Sequence, residues 1–177
     1  HTVSEDDLGR LRAADRRRFE RRLRSIVTGL DRHRPWLVKD PRLCLLLPLW
    51  RAVVPDPVVV LIVRRPLQVA QSVAARNGFE LPVGVALWEE HTTAALRHTA
   101  GLPRVLVTHH ELMARPDAVA ARLFEWLKGL GASGLRRVAP EAIAEFIRAD
   151  LFRARGDEAA EAPYLNPGRR QLLESLL

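Results

Sequence analysis

Four side chains in this sequence have the types and settings that anion chemistry uses. In "VVVLIVRRPLQVAQS", residues 58–72, an apolar run ends in Arg64 and Arg65, a proline follows, and Ser72 comes eight positions after Arg64. A guanidinium presents its N–H donors in a fixed fork that suits phosphate-type oxygens. A serine hydroxyl near the start of the next helix can add a donor, helped by the positive end of that helix. Lys39 closes the stretch "WLVK" and is one of two lysines in a chain with 28 Lys plus Arg. A compact ammonium at a strand end suits negative charge that develops on a transferred group. His109, after "RVLVT", adds an imidazole at another strand end. Each has an ordinary alternative: a surface lysine, an arginine paired with a carboxylate, a serine facing outward from mid-helix, a hydrogen-bonded strand-end histidine. Arg65 is expected to point to solvent.

These positions need strands and helices to hold them. Val58 to Val63, six apolar residues with four valines, have the length and composition of a strand buried on both faces of a parallel sheet. Pro66 sits where a helix has its first residue, and Val69 and Val73 follow one turn apart. Arg64 therefore falls at a strand's C-terminal end, where open α/β sheets keep their binding crevice. Upstream, a long amphipathic helix over about residues 5–34 leads to a short strand, Trp36 to Val38, the turn "KDPR" and an apolar helix from Leu43 to Trp50. Downstream, a helix near Val83 to Ala100 precedes the strand "RVLVT", 104–108. Pro116 then starts a periodic helix with Val119, Ala120, Leu123, Phe124 and Leu127 on one face, and a helix around Ile143 to Ile147 precedes a charged, proline-containing tail. Strands separated by helices imply an α/β domain over 1–177, with a parallel sheet flanked by helices.

Composition narrows the partners. At 47% apolar and 28% charged residues the chain is expected to be globular and soluble. No apolar run reaches the ~18 residues of a membrane span, and no signal-peptide pattern opens the sequence. Cys44, the single cysteine, can form no internal disulfide, which fits a reducing, cytoplasmic setting. The chain starts at His1 and has one methionine, Met113, so further sequence is expected upstream. A net charge of +7 invites a nucleic-acid reading. Yet the densest basic cluster, Arg16, Arg17, Arg18, Arg21, Arg22 and Arg24, alternates with the apolar stripe Leu11, Phe19, Leu23, Ile26, Val27 and Leu30. That pattern reads as a solvated helix face. Zinc-ligand spacing is absent, and aromatics for base stacking are few.

One literal motif is rejected. "GLGASG", Gly129 to Gly134, matches G-x-G-x-x-G but follows a helix, whereas a dinucleotide fingerprint needs a strand before it; it reads as a helix C-cap and loop. No Walker-type G-x-x-x-x-G-K-[ST] occurs.

Strand, Arg64, one residue, Pro66 and then Ser72 resemble the 3′-phosphate-binding element of PAPS-dependent sulfotransferases. "WLVKDPR", 36–42, is similar to the strand and Lys-Asp-Pro turn of the tyrosylprotein sulfotransferases and many bacterial relatives. "VTHHELMARPDAVAARLFEWL" resembles their Tyr-Glu-Asp-Leu strand end followed by a proline-started helix. The three motifs cover roughly residues 36–130 in the family's order. The resemblance implies a P-loop-like sulfotransferase fold, PAPS as sulfuryl donor, PAP as product, a hydroxyl or amine acceptor, and no metal. It implies Arg64 and Ser72 as phosphate ligands, Lys39 as the catalytic cation, and His109 where the family usually has a Tyr near the adenine.

The chain also departs from the family. The N-terminal strand, Gly-rich loop and helix that hold the 5′-phosphosulfate have no counterpart before the first helix, so the fold is expected to lack its first βα unit and the fragment to be inactive alone. Pro41 stands where the cytosolic enzymes place their base histidine. Glu89, Glu90 and His91, after Trp88, lie on a helix that could border the acceptor cleft or form an ordinary polar face, and no general base can be named. The competing readings are a degenerate nucleotide-binding or protein-interaction domain and, further off, a basic nucleic-acid-binding module.

Overall fold

Proline and glycine punctuate this chain where helices start and stop. The structure, a computed structural model, describes residues 10, 12–147 and 158–177. The first described helix, α1 (Ala13–Leu30), buries Leu23 and Val27 and leaves Arg16, Arg17, Arg18, Arg21, Arg22 and Arg24 exposed. That is the solvated arginine face the spacing predicts. The helix starts later than expected, since Arg12 is its extended N-cap, while Leu11 and residues 1–9 lie outside the described residues. A 3₁₀ turn, Asp31–His33, follows.

The remaining elements are α2 (Leu43–Arg51), β1 (Val59–Val63), α3 (Pro66–Asn77), α4 (Leu81–His98), β2 (Arg104–Thr108), α5 (His109–Ala114), α6 (Pro116–Gly129), α7 (Pro140–Phe146), α8 (Glu158–Glu161) and α9 (Pro167–Glu174). The described fold is helix-rich, with a small open sheet of two parallel strands, β1 beside β2, flanked by helices. Two compact units make up the chain: His1–Val59 with Ala94–Arg104, and Val60–Thr93 with Val105–Leu177.

In the first unit, Pro48 sits inside α2 and has no N–H to give the Cys44 carbonyl. His98 fills that role, its Nδ1 donating to Cys44 O at 2.7 Å. The expected strand Trp36 to Val38 is not a strand: the segment has no regular secondary structure and pairs with no strand among the described residues. Leu37 there is 81% exposed. With its apolar side chain in water and no ladder hydrogen bonds, so short a segment has nothing to hold it as a strand.

In the second unit, α3 begins at Pro66 as the sequence predicts and ends at Gly78, whose φ of 70° is the left-handed cap. Gly84 of α4 lies against Ala70 of α3, so close that a Cβ there would meet Ala70 Cα at 2.5 Å. The expectation that β1 is buried on both faces is corrected: Val63 is buried, but Ile62 is 52% exposed. The face of β1 that carries Ile62 is thus partly open to solvent. "GLGASG" follows α6, with the N–H of Ala132 donating to Leu127 O at 3.1 Å, and no strand enters it. It is a helix end and loop. In the described part of the tail, 158–177, Asn166 caps α9, and Leu173 and Leu176 are buried.

Candidate functional site

The residues at the carboxyl ends of β1 and β2 form the candidate site, and they belong to the second unit. Arg64 follows the last residue of β1, and Trp88 of α4 donates its indole N–H to the Arg64 carbonyl at 3.0 Å. The Arg64 guanidinium is half-buried and its Nε is shut off from solvent. Burial pulls its pKa below the ordinary arginine value, the sign expected when a cation is desolvated. Arginine nonetheless stays charged at neutral pH.

His109 follows β2 and opens α5, where the Thr108 side chain accepts from the Glu111 amide at 3.1 Å. Its imidazole is half-buried, with Nδ1 closed to solvent. Burial first, then electrostatic repulsion from Arg64 and the neighbouring His110, hold the His109 pKa below the ordinary histidine value. Two adjacent strand ends thus present a fixed cation and a neutral imidazole within electrostatic reach of each other. An incoming anion would be drawn to the first and would favour protonation of the second.

Arg65 is a correction. It does not point to solvent: its side chain is 24% exposed and holds Glu161 and Glu158. Ser72 is exposed and is the seventh residue of α3, about two turns from the helix start. Gln71, beside it in sequence, has a buried Oε1 that accepts no hydrogen bond among the described residues.

Lys39 lies in the first unit, exposed, and opens the "KDPR" turn. Asp40 caps that turn, accepting from Arg42 N at 2.8 Å, Nε at 2.9 Å and Nη2 at 2.6 Å. The Arg42 side chain and amide lower the Asp40 pKa to about 2. Arg42 is thereby occupied as a turn partner.

Two of the polar residues of α4 named from the sequence, Glu89 and His91, have partners. Glu89 accepts from Arg169 Nε at 2.8 Å, and His91 Nδ1 donates to the carbonyl of Leu87 at 2.9 Å. Glu161 and Arg169 could not be found in sequence as partners of the α3 start and of α4, since each acts across at least 80 residues. Among the described residues no group of three or more His, Cys, Asp or Glu gathers as a metal site, and no helix is long and apolar enough to cross a membrane. A scan against protein-family models finds no match, and none is found among curated proteins or solved structures.

Proposed function

We propose that this chain carries the 3′-phosphate-binding half of a P-loop-like PAPS-dependent sulfotransferase. The observation that supports the reading best is the pair of strand ends: a half-buried Arg64 after β1 within electrostatic reach of a neutral His109 after β2. Parallel strands with helices between them put such residues at the edge where α/β proteins bind ligands, and a shielded guanidinium is the donor a phosphate monoester needs.

PAPS fits these residues. Arg64 would take the 3′-phosphate, His109 would lie toward the nucleoside, and Ser72 would add a hydroxyl if the ligand reaches the second turn of α3. The donor supplies an activated sulfuryl group, whose transfer depends on in-line positioning and on cations meeting charge at the moving group. Lys39 is assigned that last role from its sequence context, and the acceptor is a hydroxyl or amine.

Titration with PAP and with AMP, which differ in the 3′-phosphate, tests the reading. PAP should bind at least about tenfold more tightly, as expected when a charged hydrogen-bonded group is added. Equal affinities would overturn it.

A further inference from the structure

Glu161 is wholly buried, yet it is a carboxylate. Such a group must be paired and hydrogen-bonded to be tolerated away from water. Its Oε2 accepts from Arg65 Nε at 3.0 Å and Nη2 at 2.6 Å, and its Oε1 accepts from the Leu67 amide at 2.9 Å. Leu67 is the second residue of α3, so this amide is one of those a helix start leaves without an internal acceptor. Arg65 Nη1 reaches Glu158 at 3.0 Å, but Glu158 is 84% exposed and adds little.

These bonds surround Arg64. Its carbonyl is held by Trp88, the next guanidinium by Glu161, and the amide three residues on by the same carboxylate. Without Glu161, Arg65 and the start of α3 would together form a competing anion seat. We infer that Glu161 is a positioning residue for the anion site: it fixes the link from β1 to α3 and occupies both Arg65 and the α3 amide, so that these do not compete with Arg64 for a bound phosphate. This rests on the PAP reading above.

The test is a cycle of PAP affinities for the wild type, Arg64→Ala, Glu161→Gln and the double variant, with thermal unfolding followed in parallel. Glu161→Gln keeps the shape of the side chain and removes the charge that holds Arg65. It should weaken PAP binding roughly tenfold and make the Arg64→Ala loss at least about tenfold smaller than in the wild type, because a released Arg65 stands in. A purely structural Glu161 would lower the unfolding temperature and leave the Arg64→Ala loss unchanged; that additive result overturns the inference and leaves the PAP reading intact. A wild-type background in which Arg64→Ala costs nothing would overturn the PAP reading and this inference with it. Should Glu161→Gln not fold, Arg65→Met with Glu161→Leu replaces the pair by apolar side chains, an exchange that buried ion pairs often tolerate. That variant should fold and bind PAP roughly tenfold less tightly, and unchanged affinity would refute the positioning role.

Discussion

Arg64 and Arg65 share a side chain and adjacent positions, yet their environments give them different work. Arg65 neutralises a carboxylate that is otherwise sealed from water. Arg65→Ala should therefore destabilise the protein by about 3–5 kcal/mol, the cost of leaving a buried charge without its partner. Urea unfolding is the check, and a loss under about 1 kcal/mol would contradict the geometry. Sequence could not assign the two arginines, because what separates them is Glu161, 96 positions from Arg65 in the tail. His109 gives a pH signature. Its folded pKa is depressed, so the stability it supports is present above the ordinary histidine value and is lost as the pH falls through the lowered one. A bound 3′-phosphate acts in the opposite sense and favours the imidazolium. Near pH 7, PAP binding should take up a proton, measurable by calorimetry in buffers of different ionisation enthalpy. The uptake should vanish in His109→Gln, and its persistence there would clear His109 of the role. If the proposed sulfuryl transfer holds, Lys39→Ala in a protein that includes the donor loop should keep PAP affinity within a few fold and lose about 10² to 10³ in turnover. An unaffected rate would return Lys39 to the surface.

At the scale of elements, local signals were reliable where they were chemical and weak where burial decides. Pro66 and Pro116 start α3 and α6 as their fixed φ requires, and β2 spans 104–108 as its composition suggests. The stretch 36–38 failed as a strand because strand formation depends on a partner that three residues cannot announce. The helix α9 was not expected in a tail read as charged and proline-containing, although Asn166-Pro167 supplies a side-chain cap followed by a proline at the first helical position. The leucines at 172, 173, 176 and 177 also stand one helical turn apart, and Leu173 and Leu176 are buried. Gly84 carries the contact of α3 with α4. A methyl at that position would press on backbone, which cannot rotate away, so Gly84→Ala should cost about 1–3 kcal/mol in a urea titration. An unchanged midpoint would mean that the two helices stand further apart.

The whole molecule is strongly basic, with a net charge of +7, and α1 exposes its arginines. On the present account that charge is solvated surface. Replacing Arg17, Arg18 and Arg21 with glutamine should leave PAP affinity nearly unchanged at moderate salt. A steeply salt-dependent affinity for DNA or RNA that this variant loses would favour a nucleic-acid role instead. The alternation of strands and helices was legible in the sequence from its apolar runs, while the open face at Ile62 and the division into two units depend on contacts between distant segments. The central claim, that Arg64 at the end of β1 receives a 3′-phosphate, is tested most directly by calorimetry with PAP and AMP on the wild type and Arg64→Ala. The account predicts that Arg64→Ala weakens PAP by about 1.5–3 kcal/mol and leaves AMP unchanged; equal PAP affinity for the two proteins would contradict it.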